Sequence, residues 1–190
     1  MGLFDVITGK RKLAKPAADR LFALSTAYVT FQAQLEIATT GAAAIVFQAL
    51  ETADFTEIVR EMEEVVRATG EDAGGDVRSH TDQFGYRWMV LQEPEFDDLV
   101  VGINAVSSSL EAGGYGERIL CAVFAFKDAD ARALYLIYNY KRGAFYPFAP
   151  AAGSQQRDTE RELRLKPQLA AELPIEPELE RWFPLWGIPI

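Results

Sequence analysis

Residues 119–126 (ILCAVFAF) are apolar at every position. Read as a strand, that run leaves no side for water, so it belongs in the middle of a sheet. Asp128, Ala129 and Asp130 make a tight turn after it, and residues 133–140 are expected to return as a fifth strand. The stretch 134–150 (LYLIYNYKRGAFYPFAP) ends that strand at a Lys141-Arg142-Gly143 corner. Phe145, Tyr146 and Phe148 follow, beside Pro147 and Pro150.

The rest of the chain is read around this hairpin. Residues 16–24 make a short helix with Pro16 in its first turn. Residues 28–37 alternate, with Val29, Phe31, Ala33, Leu35 and Ile37 on one side, which predicts a half-buried strand. A Thr39-Thr40-Gly41 turn then leads into a second strand over 43–50, giving a hairpin. Asp54 and Glu57 form a capping box for a helix whose apolar stripe includes Phe55, Val59, Met62 and Val66, and which Gly70 ends. Residues 71–76 are acidic and glycine-rich, a solvated loop before a third strand over 84–91. Asp97 or Asp98 caps a helix through Leu110 with Val100, Ile103 and Val106 facing inward, and Gly113-Gly114 supply its exit. A short helix broken at Pro167 precedes a tail with Pro174, Pro177, Pro184 and Pro189, where Trp182, Phe183 and Trp186 need packing partners.

These elements predict an α+β fold: a mainly antiparallel sheet of about five strands, helices packed on one face, and a Pro/Trp-rich C-terminal tail. The expected division is an arm over 1–15, the α+β domain over 16–150, and a tail over 151–190 that packs on the domain. A length of 190 residues suits one core.

Charge and cysteine content narrow the function. Five basic groups against Asp5 and Asp19 leave +3 in residues 1–20, and so −12 in the remainder of a chain with net charge −9. An acidic body repels phosphate backbones, which argues against nucleic acid. A single cysteine, Cys121, precludes an intrachain disulfide and fits a reducing compartment. No apolar run is long enough for a membrane span, so a cytoplasmic protein is expected, with peripheral contact at the inner face of the cell membrane open. That contact falls to the arm: Leu3, Phe4, Val6 and Ile7 form an apolar tip, and Lys10, Arg11 and Lys12 a basic collar. Each basic residue near anionic lipid adds about 1 kcal/mol, so the arm alone makes a weak, reversible contact.

No catalytic kit is legible. His80 is the only histidine, and its neighbours Ser79 and Asp82 are adjacent in sequence only, whereas triads are assembled across space. One histidine and one cysteine cannot make a four-ligand zinc site. Glu57, Glu61 and Glu64 share a helix face as a solvated stripe. Gly113-Gly114-Tyr115-Gly116 leaves a helix where a phosphate loop would open one, so it is a turn. No metal and no cofactor are expected.

The corner at 141–148 is the candidate partner-binding surface, with Lys141 and Arg142 supplying charge and Phe145, Tyr146 and Phe148 a rigid aromatic lip. An alternative is that the three rings pack beneath the tail while Arg142 meets Glu178 or Glu180. Both stay open at this level.

The runs YNYKRGAFYPFAP, INAVSSSLEAGGYGERILCAVFAF and AELPIEPELERWFPLWGIPI, with LFALSTAYVTFQ and FGYRWMVL, span almost the whole chain. In them the chain resembles the phage-shock-protein-A-associated protein B family (PspAB). The resemblance implies a non-catalytic accessory protein of a PspA-linked envelope stress response. Its implied partners are a PspA-type protein or an HtpX-like membrane protease. It carries no catalytic residue. Two other readings remain: a secretion-chaperone-like dimeric module, and a small-molecule enzyme using carboxylates such as Asp82 or Glu117.

Overall fold

The structure, a computed structural model, describes residues 20–71 and 75–190. In chain order its elements are α1 (Ala23–Leu35), β1 (Ala38–Gln48), α2 (Ala53–Glu71), β2 (Asp76–Thr81), β3 (Tyr86–Gln92), α3 (Phe96–Ala112), β4 (Ile119–Lys127), β5 (Ala133–Asn139), β6 (Ala144–Phe148) and α4 (Thr159–Ala170). Short 3-10 turns at Gly116–Arg118 and Leu179–Arg181 complete the list. The strands form one sheet in the order β2-β3-β1-β4-β5-β6, and every neighbouring pair is antiparallel. The fold is α+β, with six strands where about five were expected.

β4 sits inside the sheet, as its two apolar faces require. On one face, Ile45, Met89, Phe124 and Tyr138 join the core beneath α1, α2 and α3. On the other, Val46, Trp88, Val123 and Ile137 lie with Trp182 from the C-terminal segment. From Ala122 to Phe126 the strand is therefore buried on both sides. Helix and sheet approach closely at Gly102, where an added Cβ would stand 2.5 Å from Leu91 Cδ2.

Four local expectations are corrected. Residues 28–37 are not a strand: 23–35 is helical, and the chain leaves the helix at Glu36, whose φ of 52° is left-handed. Leu21, Leu24, Ala27 and Phe31 are buried, while Val29 of the supposed inward face is 67% exposed. Helical spacing wins over the alternation because only the helix buries these large side chains together. The hairpin read over 28–50 is consequently absent, and β1 pairs with β3 and β4. The loop expected after α2 gives way to β2 from Asp76, whose exposed, polar residues bury only Val77. Glu95, not Asp97 or Asp98, is the N-cap of α3. Finally, α4 continues through Pro167, capped by Asp158, whose side chain accepts from the Arg161 amide at 3.0 Å.

The two edges of the sheet differ. At β6, Phe145 N donates to Pro174 O and Glu176 N donates to Phe145 O, each at 2.8 Å. This short parallel bridge to Ile175 covers that edge. β2 forms the other edge and carries Asp76, Arg78 and His80 toward solvent.

Candidate functional site

The register of the sheet lines up one residue from each of four strands. Val46 lies opposite Trp88 on one side and Cys121 on the other, and Cys121 lies opposite Asn139. These four residues floor a cleft of about 670 Å³ on the face away from the helices. Two further segments wall it: the β2–β3 turn with Gln83 and Phe84, continued by Tyr86 at the start of β3, and the C-terminal segment Phe183, Pro184, Leu185 and Trp186. Phe84 is 74% exposed, Phe183 61% and Trp186 38%, so the rim presents three aromatic rings to solvent. Lone exposed apolar residues are ordinary, but three around one apolar concavity mark a contact site.

Each wall is held by identifiable bonds. In the β2–β3 turn, Asp82 Oδ1 accepts from the amides of Phe84 and Tyr86 at 2.9 Å, and Oδ2 accepts from Trp88 Nε1 at 3.0 Å. Burial opposes the charge on this carboxyl, but the indole and the two amides outweigh it and hold the pKa below its ordinary value. Asp82 is thus an anion fully used as a brace.

The C-terminal wall is strapped by two Arg–Glu pairs. Arg142 Nε donates to Glu176 Oε2 at 2.9 Å and lies 3.6 Å from Glu178. Arg157 Nη2 donates to Glu162 Oε2 at 2.7 Å, stands 5.8 Å over the Phe148 ring, and donates to the Trp182 carbonyl. Glu176 and Glu162 are 2% and 1% exposed, so these are buried acids whose charge needs its arginine. Trp182 stacks on Tyr146 with ring centroids 6.3 Å apart, and its indole donates to Glu176 O at 3.0 Å.

The predicted corner residues therefore divide. Phe145 faces the helix-side core; Tyr146 and Phe148 face the other side. All three are buried, at 0%, 4% and 1% exposure, because β6 continues the sheet, and Tyr146 and Phe148 pack against Trp182 and Trp186 of the C-terminal segment, the alternative to an open lip. Arg142 is engaged by Glu176 and Glu178. Lys141 lines the cleft with Tyr146, is exposed, and has no ion pair among the described residues. The arm residues Leu3, Phe4, Val6, Ile7, Lys10, Arg11 and Lys12 lie outside the described residues.

The groups weighed for chemistry do not converge. Ser79 bonds Glu63 of α2, while Asp82 is committed to Trp88, so neither serves His80 as a triad partner. Burial pushes the Cys121 thiol up to about 12, which keeps it protonated at neutral pH. Glu57 and Glu64 pair with Arg60 on the surface of α2. Among the described residues no group of three or more histidine, cysteine, aspartate or glutamate side chains is placed to hold a metal ion. Among the described residues the carboxyl whose pKa rises is Glu93, through burial and then the charge of Asp98, and it lies in a separate crevice between α2 and α3.

The turn that carries Phe84 was missed in the sequence, although its signal is there. Asp82-Gln83-Phe84-Gly85 has Asp first and Gly fourth, a turn signature, and Gly85 adopts a φ of 82°.

A family model described as PspAB, PspA associated protein B, matches residues 1–190, and the chain belongs to that family. No curated protein and no solved structure matches the chain. Among the described residues no helix is long and apolar enough to cross a membrane.

Proposed function

We propose that this member of the PspA associated protein B family is a non-catalytic accessory protein of a PspA-linked envelope stress response, and that the cleft is its working surface. The family's description supports association with a PspA-type protein. The observation that carries the choice of surface is the exposed ring of Phe84, Phe183 and Trp186 around a concave apolar floor. Such rims supply binding energy in a few aromatic anchors, each costing about 2 kcal/mol or more when removed. The walls are rigid because their acids and rings are bonded internally, so little ordering cost is left for the moment of binding.

In the same reading the arm over residues 1–15 adds a weak contact with anionic membrane, which a flotation assay with residues 1–12 deleted tests. The surface itself is tested by placing a photo-crosslinking phenylalanine analogue at position 84 or 183 in cells. Crosslinks to the PspA-type protein from these positions, and not from Val29 on α1, support the reading. Crosslinks equally strong from Val29 contradict it.

A further inference from the structure

We propose that the cleft binds a small amphiphilic acid, an apolar chain or ring bearing a single carboxylate, and that Lys141 is the residue that selects it. This rests on the reading of the cleft as the working surface and names the ligand chemistry of that surface.

Size comes first. A cleft of about 670 Å³ lies within the range of roughly 300–1,000 Å³ typical of small-ligand sites. Gln83, Asn139 and Gln155 apart, its uncharged lining is mostly aromatic and aliphatic, from Trp88 and Val46 to Leu185 and Trp186, and rewards a ligand that is mostly apolar.

Charge gives the ligand its polarity. Two ionic side chains line the cleft, Asp82 and Lys141. Asp82 is saturated by Trp88 and two backbone amides and sits beside β3. Lys141 follows β5, three strand spacings away in the sheet order β3-β1-β4-β5, roughly 14 Å. The neighbouring cation Arg142 is consumed by Glu176 and Glu178, whereas Lys141 has no ion-pair partner among the described residues. An ammonium on a flexible stem is a point charge with three donors, suited to one carboxylate at the mouth of an apolar trough. The acid group sits at the Lys141 end, and the apolar body runs across Cys121 and Val46 toward Trp88.

The test is titration of the full chain with dodecanoate, dodecanol and dodecyltrimethylammonium below their micelle concentrations, following tryptophan fluorescence. Dodecanoate binds one per chain and at least tenfold more tightly than the other two. Lys141→Ala removes that preference without changing dodecanol binding, and Lys141→Glu shifts it to dodecyltrimethylammonium. Failure of dodecanoate to bind, or equal affinities that Lys141→Ala leaves unchanged, overturns the proposal. Capture of the PspA-type protein, measured in parallel, separates the two claims. If Phe183→Ser loses the protein partner while dodecanoate fails to bind, the ligand assignment alone falls. If dodecanoate binds with the predicted charge preference but Phe183→Ser keeps the protein partner, the ligand assignment stands and the placing of the partner falls.

Discussion

The hydroxyl of Tyr146, on β6, donates to the carbonyl oxygen of Phe183 at 3.1 Å, joining the sheet to the wall of the cleft. The same ring stacks against Trp182, so one side chain fixes both the buried and the exposed aromatic of the C-terminal segment. Tyr146→Phe keeps the ring and deletes the bond, at a cost of about 1 kcal/mol. Hydrogen exchange at residues 183–186 should accelerate in this variant while the amides of β4 stay protected. Equal acceleration in β4 would show that the bond serves the whole fold and not the wall.

Arg142 faces a buried acid. Its bond to Glu176, with weaker help from the Glu178 amide and from Arg181, holds that carboxyl below its ordinary pKa of 4.5 against the opposing effect of burial. Stability from this pair is therefore present above pH 4.5 and lost as pH falls through the depressed folded value. Arg142→Ala strands the charge of the buried Glu176, and we expect a loss of stability at neutral pH. Urea unfolding at several pH values checks the sign: the gap between wild type and variant must narrow on acidification.

Glu93 behaves in the opposite sense. It is 7% exposed, its Oε2 has no hydrogen-bond partner among the described residues, and burial followed by Asp98 raises its pKa. A carboxyl with a raised folded pKa favours the fold while protonated, and that contribution is lost as pH rises through the raised value. Glu93→Gln should stabilise the protein by about 1 kcal/mol at neutral pH, with the gain vanishing in acid. Thermal unfolding at matched pH values measures it, and a destabilised variant at neutral pH would contradict the account.

How far the sequence was readable depended on which contacts each residue makes. α2 and α3 were legible because Phe55, Val59, Met62 and Val66, or Val100, Ile103, Val106 and Leu110, can satisfy only a helical period. α1 offered two periods at once. Leu21, Leu24, Tyr28, Phe31 and Leu35 follow helical spacing, yet Val29 to Ile37 also alternate, and the joint burial of Leu21, Leu24 and Phe31 decides for the helix. β2 was illegible because an edge strand buries one residue, Val77, and otherwise looks like loop. The contact of Arg142 with Glu178 could be read from charge, but the closer partner Glu176 could not. The cleft itself was hidden: Trp88, Val46 and Cys121 meet through register between β3, β1 and β4, which are not consecutive, and only Cys121 and Asn139 belong to a hairpin. No local pattern encodes that row.

The central claim is that this protein works through the aromatic rim of the cleft. Calorimetric titration of a purified PspA-type protein into wild type and into the Phe84→Ser, Phe183→Ser double variant tests it most directly. Both side chains are mostly exposed, so the variant should keep the thermal stability of the wild type. The account predicts at least a thirtyfold loss of affinity, about 2 kcal/mol, with stability unchanged. An affinity equal to that of the wild type would contradict it.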